Sequence, residues 1–345
     1  MYCKKLAIVI IIYCTVLLCG CVEQDKPVQG NPEVGIIYTT HDNAGSMIEW
    51  FDAESNSIGR RKYSFSSTYF DGFMNTAIVD NRLFLFPRGN YYEKDYGKLT
   101  MIDVNNGDCQ EISVGRYNVT GYCVKGDTVA FSSNSNNECY VETLDIKTDE
   151  RDSIVVEGTT VFDVAFVGDG VYGVSMDDES NVCLVSFDFE RNEYETIMHL
   201  PDDDTPAFLQ NSGDVLMFIS DDKLVKYSTD SHKAEVTELT RPGAYNINLS
   251  RDMLWIAYTD IMDDEAESLI EARKIDSGEI VISETVPNPI LQMEVRDNRL
   301  CIASYEDVVI YEISDNELKT TQRIIPENSS YDFGGVFLIN EEEEL

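Results

Sequence analysis

From Val34 onward the apolar residues come in short runs separated by Gly, Asn and Asp, with almost none of the three-and-four spacing that a helix requires. Aligned, the runs define a repeating unit. Thr76-Ala77-Ile78-Val79 predicts an inner strand, Asp80-Asn81-Arg82 a tight turn and Leu83-Phe84-Leu85-Phe86 a second strand. After a longer loop come a third strand, Leu99 to Val104, the turn Asn105-Asn106-Gly107-Asp108, and a fourth strand, Cys109 to Val114. The first turn recurs at Lys125-Gly126-Asp127, Gly168-Asp169-Gly170, Asn211-Ser212-Gly213-Asp214, Ser250-Arg251-Asp252 and Arg296-Asp297-Asn298. Gly, Asn and Asp suit these places because they tolerate the positive φ of a two-residue hairpin.

The third strand and its turn recur at Phe51-Asp52, Leu144-Asp145-Ile146, Phe187-Asp188-Phe189, Tyr227-Ser228, Lys274-Ile275-Asp276 and Tyr311-Glu312-Ile313. The spacing is about forty residues, the length of a four-stranded propeller blade. Six units are complete. An early fragment, Val34 to Phe65, holds three strands but no inner one, and a late fragment, Phe333 to Ile339, holds a single inner-type strand. One plus three makes a seventh blade, and joining the chain ends in it removes the exposed sheet edge. The expected fold is therefore an all-β, seven-bladed β-propeller, with six or eight blades as alternatives. A β-sandwich predicts neither the period nor the complementary end fragments.

The third-strand element, apolar-Asp-apolar-x-x-Gly-Asp as in Ile102 to Asp108, resembles the broad group of quinoprotein-like and YVTN-type propellers over roughly Val34 to Ile339. That resemblance implies architecture and carries no activity. The tryptophan-rich repeat of quinoprotein dehydrogenases is missing, since Trp50 and Trp255 are the only tryptophans.

The amino terminus differs. A basic head, Lys4-Lys5, precedes thirteen apolar residues, Leu6 to Leu18, a length that fits a secretory leader better than a membrane span. Leu18-Cys19-Gly20-Cys21 then resembles the lipobox of bacterial lipoproteins, with Cys19 departing from the usual small residue. The resemblance implies lipidation at Cys21, which would tie the chain to a membrane on the extracytoplasmic side. The expected division is a leader over 1–20, the lipidated Cys and a flexible tether over 21–33, the propeller over 34–339 and an acidic tail over 340–345. A lipid-anchored propeller is also similar to the scaffold lipoprotein of outer-membrane assembly machinery, whose eight blades do not match the seven counted here.

The formal charge of -37 excludes nucleic acid and anionic surfaces as ready partners, because the long-range field repels phosphate. Beyond Cys21, five cysteines remain: Cys109, Cys123, Cys139, Cys183 and Cys301. They are odd in number and lack zinc-type spacing, so small buried residues are the expectation. His41, His199 and His232 fall in different blades and cannot share a metal. No Gly-x-Ser-x-Gly elbow is present, and no second domain follows to supply a Ser-His-Asp set. No catalytic residue is assigned.

In a four-stranded up-and-down blade, the first-to-second and third-to-fourth turns share one face of the disc, and the remaining connections share the other. Here the first face carries tight turns and the second the long loops, where function in β-folds concentrates. Tyr69, Phe70, Tyr91, Tyr92 and Tyr96 gather on the second face and form a candidate aromatic platform. The acidic groups Asp177-Asp178-Glu179, Asp202-Asp203-Asp204 and Asp263-Asp264-Glu265 lie there too. They form candidate cation sites, with calcium as the only cofactor considered. The expected function is a non-catalytic binding or scaffold module for a protein, peptide or glycan. The alternative is an extracytoplasmic carbohydrate-active enzyme or lyase using carboxylates in the central funnel.

Overall fold

The computed structural model describes residues 25–40, 45–65, 76–87, 97–135, 138–200, 206–261, 263, 266–326 and 332–339. Across them the chain forms seven four-stranded antiparallel sheets. Six are consecutive in sequence. The seventh combines the last strand, Asp332–Leu338, with the first three, Val34–Thr39, Ser46–Phe51 and Ser57–Tyr63, in the order late–first–second–third. Val34 faces Leu338 and Ile36 faces Val336 across the junction. The seven-bladed propeller expected from the end fragments is the fold observed, with no helix among the described residues.

The core is a ring of wedges between neighbouring blades. Because a strand points alternate side chains to opposite faces, each blade must bury both. In the third strand of blade three, Val182–Asp188, Cys183 and Val185 pack with Val141 and Ile154 of blade two. Val182 and Leu184 pack instead with Leu216 and Phe218 of blade four. Trp50 is fully buried at the wedge between blades seven and one, where its Nε1 donates to the Val104 carbonyl at 2.7 Å.

The recurring aspartate after the third strand is a turn cap. Asp103 accepts from the N–H groups of Asn105 and Asn106, and Asp145 from those of Lys147 and Thr148. Asp80 and Asn81 adopt φ of 51° and 58° in the first hairpin, the left-handed conformation that Asn and Asp tolerate.

One stretch differs from expectation. The segment from Asp25, expected to be flexible tether, lies along the outer strand of blade seven, with Lys26 and Arg60 exchanging backbone hydrogen bonds at 2.7 Å. Asp25 accepts from the Lys62 N–H at 2.9 Å. Gly59 makes room, since a Cβ there would stand 2.6 Å from the Val28 Cα. The physical reason is the unpaired edge of that strand, which the segment covers.

Candidate functional site

The inner strands of the seven sheets surround the axis of the disc. In blade one the inner strand Ala77–Val79 is half-buried throughout, whereas Leu83, Phe84 and Leu85 of the next strand are at most 6% exposed. The inner strands turn their second edge toward this axis, and those backbone groups need partners. Side chains of one inner strand supply them to the next. Thr120 donates to the Val161 carbonyl, Asp163 accepts from the Leu209 N–H, and Asn248 donates to the Met293 carbonyl.

Blade six does this most fully. Gln292 mimics a strand: its Oε1 accepts from the Val336 N–H at 2.7 Å while its Nε2 donates to the Val336 carbonyl at 3.0 Å. Arg296 donates to the carbonyls of Leu338 and Ile78, at 2.8 and 3.0 Å. Between them on the same strand face stands Glu294, half-buried, with Thr76 Oγ1 donating to it at 3.3 Å.

Two axial carboxyls are thereby set apart from the many surface ones. Burial pushes Asp163 up to about 8, against the backbone N–H groups of Val164 and Leu209 that favour its charged form. Burial also pushes Glu294 up to about 7, with the Arg296 cation as the chief opposing influence. A carboxyl poised near 7 can accept or release a proton at neutral pH. Neither residue stood out in the sequence, because the only signal available was an acidic residue at mid-strand, where a solvated face is unexpected.

The long-loop face holds a second feature. Between blades two and three lies a cleft of about 540 Å³, lined by Asn134, Glu138, Cys139, Thr160, Asp177 and Asp178 among others. At its edge Asp177, Cys183 and His199 come together, one ligand-type atom of each within 4.8 Å of the others. Cys183 Sγ lies 3.3 Å from His199 Nδ1 and 3.9 Å from Asp177 Oδ2. Cys183 and His199 are direct partners across two paired strands. From sequence alone Cys183 reads as a small core residue, and His199 stands in a different blade from His41 and His232.

The other expected residues divide. Cys21, Tyr69, Phe70, Tyr91, Tyr92, Tyr96, Asp202, Asp203, Asp204, Asp264 and Glu265 lie outside the described residues. Asp177 caps its own turn, accepting from the N–H groups of Glu179 and Asn181. Asp178, Glu179 and Asp263 are exposed. His199 and His232 lie in different blades, as expected, with His232 against Tyr227. The five cysteines form no disulfide.

No family model matches the chain, and no curated protein matches it in sequence. Solved structures do resemble it. A Bacteroides uniformis protein provisionally named a 6-phosphogluconolactonase superposes with a TM-score of 0.64 at 13% identity, covering 90% of this chain and 100% of its own. The periplasmic gluconolactonase of Pseudomonas aeruginosa gives 0.61 at 14%, covering 88% and 98%. Citrobacter koseri AztD gives 0.55 at 10%, covering 89% and 97%. At such identities the likeness is one of fold. It nevertheless corrects the expectation of a non-catalytic binding scaffold. The disc expected to be a docking platform is an architecture whose named examples here include sugar lactonases.

Proposed function

We propose that the chain is an extracytoplasmic hydrolase of sugar lactones, with Glu294 as its acid–base group. The observation that carries this reading is the Glu294 carboxyl, half-buried beside the axis with its protonation poised at about 7. The fold likeness to lactonase-named propellers, over 90% and 88% of this chain, supports the substrate class.

Lactone opening needs a proton taken from the attacking water and one returned to the departing ring oxygen. A single carboxyl near 7 serves both steps: Glu294 as carboxylate takes the water proton while the new C–O bond forms at the carbonyl. As carboxylic acid it then protonates the alkoxide when the ring C–O bond breaks. The charge of -37 favours an uncharged lactone over a phosphorylated one, because the same field that repels phosphate leaves a neutral sugar unaffected.

The test is proton release from gluconolactone and from its phosphorylated form by the leaderless protein, corrected for spontaneous opening. The uncharged substrate should be favoured, and kcat/KM should rise about tenfold per pH unit below 7 and level off above it. Glu294→Gln, nearly isosteric, should lower kcat by roughly a hundredfold or more at unchanged thermal midpoint. Hydrolysis no faster than the buffer blank would sink the reading, and a fully active Glu294→Gln would remove Glu294 from it.

The location follows the lipobox. With Cys21 lipidated, four residues lead to Asp25 and span at most about 14 Å. Asp25 meets the outer strand of blade seven at its Lys62–Tyr63 end, on the side of the disc that carries the long loops. The rim of that face would then stand next to the membrane. Cys21→Ser should move the protein from the membrane to the soluble fraction. Retention of that variant at the membrane would rule out anchoring through this cysteine.

A further inference from the structure

Asp177, Cys183 and His199 bring three donor types, O, S and N, to one point, and that mixture is unlike the carboxylate surroundings elsewhere on this acidic surface. Asp177 Oδ1 is filled: it accepts from the N–H groups of Glu179 and Asn181 and from Asn181 Nδ2. Oδ2 takes one further hydrogen bond, from Asn181 Nδ2 at 3.0 Å, and otherwise faces the Cys183 thiol. A carboxylate held in this way has one oxygen fixed and the other presented, which is the orientation that outer hydrogen bonds give to metal ligands.

We propose that Asp177 Oδ2, Cys183 Sγ and His199 Nδ1 form a binding site for a divalent transition metal of the zinc class. Tetrahedral coordination at about 2.0–2.3 Å requires donor atoms roughly 3.3–3.8 Å apart. The thiol–imidazole separation of 3.3 Å and the thiol–carboxylate separation of 3.9 Å already approach this. One thiolate, one imidazole and one carboxylate suit zinc or cobalt better than calcium or magnesium, which prefer oxygen throughout. His199 is exposed and Asp177 lines the cleft, so a metal has an entry path and a fourth position for water or a small ligand. The field of a chain carrying -37 concentrates cations at its surface. This site is separate from the axial Glu294, and the two proposals fail separately.

The test is titration of the metal-stripped, leaderless protein with cobalt(II) at high salt, which suppresses loose binding to surface carboxylates. Wild type and Cys109→Ser should each take up one cobalt with a thiolate-to-metal charge-transfer band. Cys183→Ser should lose the band. His199→Gln, at an exposed position where the fold is safe, should weaken cobalt and zinc binding by at least roughly a hundredfold. Absence of the band in wild type, its persistence in Cys183→Ser, or unchanged affinity in His199→Gln would each overturn the proposal.

Discussion

Two turns in this molecule are built alike and end in different surroundings. In blade seven, Asp52 accepts from the N–H groups of Glu54 and Asn56, and Asn56 Nδ2 spans both of its oxygens. In blade three, Asp177 does the same with Glu179 and Asn181. Both carboxyls sit below their ordinary range. At Asp177 the Asn181 side chain is the largest cause; at Asp52 burial is the largest single influence and opposes the shift, but the summed hydrogen bonds from Asn56 and Glu54 prevail. The turn is therefore a structural device in both places. What sets Asp177 apart is the pair behind it: Cys183, buried against blade two, and His199 on the neighbouring strand.

The largest effect expected from breaking this contrast is at Cys183, whose replacement by Ser should abolish the sulfur signature of bound cobalt while leaving the Asp177 turn intact. The next comes from pH. Burial, with the nearby Asp177 charge, pushes the Cys183 thiol up to about 11, so a metal must displace its proton at neutral pH. Zinc affinity should therefore climb about tenfold per pH unit from 7 to 9, measured by competition with a chelator of known pH dependence. A flat profile would mean that sulfur is not a ligand. The smallest effect sharpens the comparison most. Asn181→Ala and Asn56→Ala remove equivalent hydrogen bonds, so each should lower the thermal midpoint by a similar few degrees at most. Only Asn181→Ala should also weaken zinc, by about tenfold. Equal metal affinity in the two variants would show that the turn does not orient Asp177 for binding.

The plain face and the axis differ in legibility for the same reason that these turns differ. On the plain face, partners are close in sequence or repeat from blade to blade. Arg82 reaches Asp127, and Lys125 reaches Asp169, each bridging equivalent turns of adjacent blades. Such contacts can be anticipated once the period is known. At the axis, Thr76 and Glu294 meet across 218 positions and Gln292 and Val336 across 44. No periodicity announces them, and the abundance of Asp and Glu hides the two that matter. In sequence every carboxylate looks alike, and none can be singled out for chemistry.

The sequence by itself favoured seven blades over six or eight, and located the closure of the ring through its two ends and the tight turns. These follow from local rules: a two-residue side-chain alternation, a near-constant repeat length and turn residues that tolerate positive φ. Only the tertiary structure decided which acids are buried, which strand edges they satisfy, and that Asp177, Cys183 and His199 share one point. Proton affinity depends on how much water surrounds a carboxyl and on the charges beside it. Metal affinity depends on donor atoms meeting within a few ångströms. Both are properties of the packed blades, set by contacts between residues that the chain itself keeps apart.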